Sequence, residues 1–305
     1  MLSLGIDTSN YTSSAALADE EGNIIADNRR LLQTKPGEKG LRQSDALFQH
    51  WNELPGLLSP LLKEHGRDIG SVTVSSRPRP QEGSYMPVFL AGLSAGRMIS
   101  DSLGVPLFES THQEGHLAAA AFGNPVDFSK KLLFAHLSGG TLEVLKLEEG
   151  RFTIAASTAD ISYGQLLDRA AVFMGLPFPG GRYIDEMALS ADVSGKKNPF
   201  ARIYKGGLKL NLSGLENQFK DNYEKYEKEE LSAFLMERIS ESFIQVMDDI
   251  AAAEGADQIL VCGGVASSSY LRRRCEGRGY MFGRAELCSD NAVGLALIGG
   301  KAPWH

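Results

Sequence analysis

The sequence predicts an α/β protein made of two lobes with the same order of secondary structure. Apolar runs separated by turn residues give the order strand–strand–strand–helix–strand–helix over residues 1–123, and the same order returns over residues 124–305. The repeat lies in the order of the elements and not in residue identity. With 305 residues, 43% of them hydrophobic, the chain can bury a substantial core. We therefore expect two lobes that face each other across a cleft.

The elements of the first half are predicted from apolar periodicity and from the positions of glycine and proline. They are, in order, strands over 2–7, 12–18 and 23–31, a helix over 41–64 interrupted near Pro55 and Pro60, a strand over 69–75, a helix over 87–103, a strand over 105–108 and a helix over 112–122. Gly104 is expected to end the second of these helices.

The second half repeats this order and adds one long segment. Its elements are strands over 131–137, 141–147 and 151–158, helices over 164–174 and 230–253, a strand over 258–262 and a last helix that begins near residue 291. Residues 177–230 are rich in glycine, lysine and asparagine. We interpret residues 177–230 as an insertion in the second lobe.

Charge, cysteine content and hydropathy exclude several classes of protein. The net charge of −7 argues against a nucleic-acid binder that uses its whole surface. A local basic cluster is formed by Arg272, Arg273, Arg274, Arg278 and Arg284. The cluster has two compatible explanations. The one we favour is that these cations lie at the end of a helix and offset the negative end of its dipole. The other is that they contact RNA. Three cysteines without CxxC spacing indicate reduced thiols. Residues 1–7 place no basic region ahead of an apolar one, and no apolar run reaches the length of a membrane-spanning helix, so we expect neither a secretory signal nor a transmembrane helix. We expect a cytoplasmic protein that does not enter a membrane.

Three turns at the ends of predicted strands carry residues suited to a cation or a nucleotide. In the first turn, Asp7 ends a strand and Ser9 follows in a hairpin, so the two are candidate catalytic residues that could coordinate a cation or a phosphate. The second turn is Ser138, Gly139 and Gly140, where the absence of a Cβ lets the backbone approach a phosphate. The third turn is Gly263 and Gly264, against which a flat ring could lie. Each turn alone is weak evidence for a cation or nucleotide site, because such residues are common in ordinary turns. The evidence is stronger because the turns lie at matching positions in the two halves.

His112 and His116 lie four residues apart on a predicted helix. This spacing places both imidazoles on one face, where they can share a metal ion. The alternative is that they are two polar residues at a helix start capped by Thr111 or Ser110. Glu114 lies about 200° around the helix from His112, whereas the zinc-protease pattern needs an acid directly after the first histidine. Peptidase chemistry is therefore not supported.

The chain that carries these residues resembles the TsaD family, the threonylcarbamoyladenosine tRNA transferases. Members of this family were once described as O-sialoglycoprotein endopeptidases or glycoproteases. The resemblance covers nearly the whole chain, and the motifs are highly specific in combination. They are residues 4–9 (LGIDTS), 112–117 (HQEGHL), 137–140 (LSGG), 167–170 (LDRA), 175–181 (GLPFPGG), 213–215 (SGL), 263–266 (GGVA) and 288–292 (CSDNA).

The resemblance implies an actin-like ATPase fold, with two ribonuclease-H-like lobes around a nucleotide cleft. It implies one divalent metal ion, iron or zinc, held by His112, His116 and Asp290. It also implies that ATP, AMP or an acyl-adenylate binds in the cleft. The residues expected to contact this nucleotide are Ser138, Gly139, Gly140, Asp168, Gly181, Gly263, Gly264 and Ser268. Asp168 would accept hydrogen bonds from the ribose hydroxyls.

The family reaction moves a threonylcarbamoyl group from its adenylate to the exocyclic amine of a tRNA adenosine. By resemblance, the partners of this chain are a nucleotide, tRNA and TsaB-like or TsaE-like proteins. The expected activity is transfer of a threonylcarbamoyl or related carbamoyl group. The alternative is a non-catalytic, nucleotide-binding paralogue that serves as a partner subunit.

Several positions depart from the family pattern and favour a diverged paralogue. The two acids of the first loop are lost, with Tyr11 and Thr12 in their place. An Ala-Gly-Pro-Gly turn is replaced by residues 76–80 (SRPRP), which bring Arg77 and Arg79. Three single positions also differ: Thr141 replaces a histidine, Glu216 a lysine and Ser268 an asparagine. The metal ligands are kept while positions that handle the substrate are changed.

Overall fold

The computed structural model describes residues 1–9, 11–34, 41–140, 142–158, 160–203, 210, 212–299 and 301–304. Thr141, one of the positions at which the family motifs change, lies outside the described residues. The chain divides into two compact units. Unit 1 consists of Met1–Gly123 and Asp290–His305, and unit 2 consists of Asn124–Ser289.

Ten strands and nine α-helices are found in the described part of the chain. The strands are β1 (Leu2–Ser9), β2 (Thr12–Asp19), β3 (Ile24–Leu31), β4 (Ile69–Arg77), β5 (Leu107–Thr111), β6 (Leu132–Leu137), β7 (Leu142–Glu148), β8 (Arg151–Ser157), β9 (Gln258–Cys262) and β10 (Met281–Phe282). The helices are α1 (Gln43–His65), α2 (Phe89–Leu103), α3 (His112–Ala121), α4 (Tyr163–Phe173), α5 (Gly181–Ser190), α6 (Leu212–Asn222), α7 (Lys228–Glu254), α8 (Ser269–Arg274) and α9 (Val293–Ile298).

Unit 1 is built on a five-stranded sheet with the order β3-β2-β1-β4-β5. The first three strands form an antiparallel meander, while β4 and β5 run parallel to β1. The core contains the buried residues Leu4, Ile6, Leu54, Leu58, Val72 and Val74. Parallel strands end at the same edge of a sheet, so the carboxyl ends of β1, β4 and β5 lie together.

Unit 2 repeats the same topology with its own sheet, whose order is β10-β9-β6-β7-β8. Here β6, β7 and β8 form the antiparallel meander, and β9 and β10 are parallel to β6. The predicted duplication of element order is therefore confirmed, with β6 to β10 taking the places of β1 to β5.

The structure differs from the sequence prediction at three points. Helix α1 runs through Pro55 and Pro60 without a break. Helices α5 and α6 lie within residues 177–230, which the sequence presents only as a polar insertion. Residues 290–305 group with unit 1 and not with the second half, because α9 packs against β1 and α3 of that unit.

Among the described helices, none combines the length and the apolar character needed to cross a bilayer.

Candidate metal centre and nucleotide loop

The candidate metal centre lies in unit 1, at the edge where β1, β4 and β5 end. Asp7 is near the end of β1, and Ser75 lies beside it on β4. Ser75 pairs with Ser110 on β5, the strand that leads directly into α3 and His112. The sheet topology therefore brings together residues that are about 100 positions apart in the sequence.

Helix α3 is fixed at its first residue by a capping box. The Thr111 hydroxyl accepts a hydrogen bond from the Glu114 backbone N–H at 3.1 Å, and the Glu114 carboxylate accepts one from the Thr111 N–H at 2.9 Å. Ser110 donates a further hydrogen bond to Glu114. Glu114 is thus committed to the cap, away from the face that carries His112 and His116, as the sequence predicts. This arrangement gives no support to a peptidase.

Three candidate ligand atoms converge on this face of α3. The His112 and His116 Nε2 atoms are 3.1 Å apart, and Asp290 Oδ1 lies 3.6 Å from the first and 3.4 Å from the second. With zinc–nitrogen bonds of about 2.0–2.1 Å and tetrahedral angles, ligand atoms should be separated by about 3.3 Å. The observed triangle is close to that size, so the spacing of the three atoms fits one metal ion. His116 is buried, and the Asp290 and His112 side chains remain 22% and 14% exposed, which leaves the site open on one side.

Asp7 and Ser9 lie behind His112 and not among the three converging atoms. Asp7 Oδ1 is 3.2 Å from His112 Nδ1 and accepts the Ser75 hydroxyl at 2.5 Å, while Oδ2 accepts the Ser9 hydroxyl at 2.5 Å. Asp7 is buried. This contact holds the His112 ring so that Nε2 points toward His116 and Asp290, the usual arrangement of a carboxylate behind a metal-binding histidine.

The electrostatics of the cluster suit a cation. Burial by itself would raise the pKa of Asp7, but the charge of His112 and hydrogen bonds from His112, Ser75 and Ser9 hold that pKa well below its usual range. Burial would lower the pKa of His112, but Asp7 and then Asp290 raise it to about 9. Burial and the neighbouring charge of His112 lower the pKa of His116. The carboxylates of Asp7 and Asp290 therefore favour a positive charge at this pair of histidines.

Asp290 reaches this cluster because α9 packs very closely on unit 1. A Cβ added to Gly294 would overlap the carbonyl oxygen of Gly115 on α3 and would lie 2.9 Å from the Ala119 nitrogen. A Cβ on Gly5 of β1 would lie 2.6 Å from the Ala296 nitrogen. These two glycines let α9 approach both elements, and the preceding residues then present Asp290 to the histidines.

The sequence analysis does not identify His50, a fully buried histidine on the apolar face of α1. Its Nδ1 lies 2.8 Å from the Ser13 hydroxyl of β2, and its Nε2 has no hydrogen-bond partner in the part of the chain that the structure describes. Burial lowers the pKa of His50 to about 4, against weaker opposing effects of Asp7 and Asp290. Ala46, His50 and Leu54 follow one another at every fourth residue. This spacing could have identified His50 as a core histidine from the sequence.

We expect His50 to make unit 1 sensitive to acid. Because the folded pKa is about 4 and the unfolded one 6.5, the unfolded chain binds the extra proton between these pH values. Stability should therefore fall as the pH drops from 6.5 toward 4, by on the order of 1–3 kcal/mol from this residue. Denaturant unfolding measures the free energy of unfolding at pH 7 and at pH 5. Between these two pH values, this free energy should fall less for His50→Asn than for the wild type. An equal loss in both proteins would contradict this prediction.

In unit 2, the predicted phosphate loop follows β6 and is held by the start of α4. The Ser162 hydroxyl donates to the Gly139 carbonyl at 2.8 Å, and a Cβ on Gly164 would lie 2.6 Å from both Gly139 Cα and the Ser138 oxygen. Gly140 is exposed, and a Cβ there would meet nothing within 4 Å. The loop is therefore fixed from behind and open in front.

Asp168 and Gly181 lie next to this loop. A Cβ on Gly139 would be 4.0 Å from Asp168 Oδ2, and Asp168 Oδ1 accepts the Gly180 N–H at 2.7 Å. Burial raises the pKa of Asp168, while the N–H groups of Gly180 and Gly181 oppose this shift. The carboxylate thus caps the N-terminus of α5, and Oδ2 is the oxygen nearer the loop.

Gly263 and Ser268 occupy the turn between β9 and α8. Gly263 has φ +99°, and its Cβ would lie 2.8 Å from the Leu137 nitrogen, so only glycine suits this contact with the end of β6. A Cβ on Gly264 would meet nothing. The Ser268 hydroxyl donates to Asp185 Oδ1 at 2.5 Å and accepts the Leu271 N–H at 3.0 Å. Ser268 therefore caps α8, a role the sequence does not indicate.

Glu216, found where the family pattern has a lysine, is part of an ion-pair cluster in unit 2. Its carboxylate is 2.9 Å from Arg169 and 2.6 Å from Lys220. The reversed charge at position 216 is thus compensated by Arg169, the neighbour of Asp168.

Two duplicated α/β units with this strand order define the actin-like ATPase fold. HypF from T. kodakarensis is similar to this chain with a TM-score of 0.61 at 14% identity, over 98% of this chain and 47% of HypF. Component A of (R)-2-hydroxyglutaryl-CoA dehydratase from Acidaminococcus fermentans is similar with a TM-score of 0.58 at 17% identity, over 99% of both chains.

The sequence comparison places the chain within one family of this fold. The TsaD family model, described as tRNA N6-adenosine threonylcarbamoyltransferase, matches residues 25–297. The chain belongs to the TsaD family. The tRNA N6-adenosine threonylcarbamoyltransferase of Pelobacter propionicus is 29% identical to it, over 98% of this chain and 91% of the relative.

Proposed function

We propose that this protein transfers a threonylcarbamoyl or closely related carbamoyl group from an adenylate to the exocyclic amine of an adenosine in tRNA. The observation that carries the proposal is the triangle of His112 Nε2, His116 Nε2 and Asp290 Oδ1 in a member of the TsaD family. In the reaction, the amine nitrogen forms a bond to the carbamoyl carbon and loses a proton. The bond from that carbon to the phosphate oxygen breaks, and AMP leaves with the electron pair.

His112, His116 and Asp290 would hold a divalent metal ion, and two imidazoles with one carboxylate suit zinc or ferrous iron. When bound, such an ion acts as a Lewis acid that polarises a carbonyl group. Asp7 accepts the Nδ1 hydrogen of His112 and keeps Nε2 directed into the site. Because hydrogen bonds and charge hold its pKa well below the usual range, Asp7 is a poor proton acceptor, and we assign it and Ser9 positioning roles.

We further propose that unit 2 binds the nucleotide at the loop of Ser138, Gly139 and Gly140. The exposed glycine backbone offers space and N–H groups to a phosphate, and Asp168 Oδ2 beside the loop is suited to ribose hydroxyls. Gly181, Gly263, Gly264 and Ser268 would complete this site. A tRNA substrate and TsaB-like or TsaE-like proteins are the partners that the family membership suggests.

Gly140→Val should weaken ATP binding by about 10-fold or more, because the side chain would fill space that a phosphate needs. The fold should tolerate the change, since a Cβ at Gly140 meets nothing within 4 Å. Calorimetric titration with ATP measures the affinity, and the melting temperature checks the fold. Gly140→Ala should give a smaller loss. Wild-type affinity in a folded Gly140→Val protein would contradict this site.

The proposed activity is tested by turnover and not by nucleotide binding, since a non-catalytic paralogue would also bind ATP. The purified chain is combined with threonine, bicarbonate, ATP, unmodified tRNA and the partner enzymes, and threonylcarbamoyladenosine is measured in digested tRNA by mass spectrometry. We expect product that depends on the chain and disappears in the His116→Ala variant. Absence of any carbamoylated adenosine with the wild type would reject the transferase and leave the partner-subunit alternative.

A further inference from the structure

We propose that Arg77, beside the metal centre, binds the carboxylate of the carbamoylated amino acid in the donor substrate. Arg77 would thereby select donors whose amino-acid part carries a negative charge. This inference rests on the proposed transferase function. It assigns a role to a residue that lies outside the motifs shared with the family, in the segment of residues 76–80 that departs most clearly from them.

The backbone places Arg77 beside the metal centre. Arg77 is the last residue of β4, two positions after Ser75, whose hydroxyl binds Asp7. It pairs in register with Thr111, the residue directly before His112. On its other side, the Pro78 carbonyl accepts the Gln113 N–H at 3.1 Å. The chain on both sides of Arg77 is therefore tied to residues that contact or adjoin His112.

The local strand geometry is irregular at this point. The pairing of β4 with β5 shifts between Ser75 and Arg77, so that one extra residue, Ser76, is accommodated in β4. Such bulges redirect side chains and occur often at the edges of functional sites. The loop that follows is anchored again where the Thr8 hydroxyl donates to the Val88 carbonyl at 3.0 Å. Arg77 thus begins a loop that is fixed at both ends along the carboxyl edge of the sheet.

Arg77 is available for an external anion. It is exposed, and within the described part of the chain its side chain forms no hydrogen bond or ion pair. The nearby acids are already engaged: Asp7 with His112, Glu114 in the helix cap, and Glu109 with Arg97 at 3.5 Å. An arginine side chain is long enough to reach a ligand held at the end of the neighbouring strand.

The chemistry of the donor identifies the anion. A threonylcarbamoyl adenylate carries two anionic groups, the phosphate and the carboxylate of threonine. In the proposed function the metal ion of unit 1 polarises the carbamoyl carbonyl. The threonine carboxylate is joined to that carbamoyl group through one nitrogen and one carbon, so it stays close to the metal centre of unit 1. A planar guanidinium pairs with a carboxylate through two parallel hydrogen bonds.

The test uses two adenylate analogues that resist hydrolysis, one with threonine and one with threoninamide in the carbamoyl group. Calorimetry on the metal-loaded full chain should show that the wild type prefers the threonine analogue. Arg77→Ala should weaken binding of that analogue by about 10- to 100-fold, because the variant loses a hydrogen-bonded ion pair with the carboxylate. Binding of the threoninamide analogue should change less than about twofold, since it has no carboxylate to lose. Arg77→Lys should restore part of the preference.

Arg97→Ala is the matched control, an exposed arginine of the same unit that pairs with Glu109 on the surface. It should bind both analogues as the wild type does. Unchanged binding of the threonine analogue by Arg77→Ala would overturn the inference and leave the transferase proposal standing. An equal loss for both analogues would mean that Arg77 contacts the phosphate or the nucleoside and would also overturn it. Failure of the wild type to bind either analogue would reject the proposed function together with this inference.

Discussion

His116→Ala should remove the metal ion from the purified protein. His116 supplies one of the three side-chain atoms that form the triangle of 3.1, 3.4 and 3.6 Å. Two remaining ligands, one of them a partly exposed carboxylate, cannot hold zinc or ferrous iron against the solvent. Elemental analysis of the folded wild type should give about one metal ion per chain, and the variant should give only the background level.

The control is His65→Ala, which removes a partly exposed histidine at the end of α1 that lies 3.7 Å from Glu64. This variant should keep the metal content of the wild type. Asp290→Asn keeps an oxygen ligand but not its charge, so it should lower the affinity without abolishing binding. Full metal occupancy in a folded His116→Ala protein would show that the three residues do not form the metal site.

Loss of metal should be separable from loss of structure. His112 contacts Asp7 at 3.2 Å, and the capping box of Thr111 and Glu114 fixes the start of α3, in both cases without a contribution from His116. Alanine at position 116 removes a buried polar ring but breaks none of these contacts. We therefore expect His116→Ala to unfold cooperatively, so that its metal content can be compared directly with that of the wild type.

The sequence predicts the fold and the two histidines because both depend on local patterns. Apolar runs and turns give the duplicated order of strands and helices, and the i, i+4 spacing places His112 and His116 on one face of α3. Asp290 enters the predicted site only through resemblance to a family, since no local pattern relates it to residues about 175 positions earlier. The structure supplies the physical link, the packing of α9 on β1 and α3.

Other features could not be predicted because they arise from tertiary contacts. His50 is buried by the packing of α1 on β2, and its low pKa follows from that burial. The family resemblance implies that Asp168 and Ser268 contact a nucleotide. Asp168 also accepts a hydrogen bond at the start of α5, and Ser268 accepts one at the start of α8. Side chains that serve as caps are fixed in position, so Asp168 would present a preoriented carboxylate oxygen to a ligand.

Gly294→Ala should destabilise unit 1 and also weaken metal binding. The added methyl group would overlap the Gly115 carbonyl oxygen and would lie 2.7 Å from the Gly115 carbonyl carbon. All of these neighbours are backbone atoms, which cannot move aside as a flexible side chain could. Helix α9 must therefore shift away from α3, at a cost of about 2–3 kcal/mol. The melting temperature of unit 1 should fall by on the order of 5–10 °C.

The same shift should carry Asp290 away from the histidines, because only two residues separate it from the start of α9. Metal affinity should then fall in the fraction that remains folded, measured by chelator competition well below the melting temperature. The control is Gly56→Ala in α1 of the same unit, where a Cβ meets nothing within 4 Å. This change should leave metal affinity unaltered and stabilise the helix by about 0.5–1 kcal/mol. If Gly294→Ala matched the wild type in both stability and metal affinity, the close packing of α9 on α3 could not be what positions Asp290.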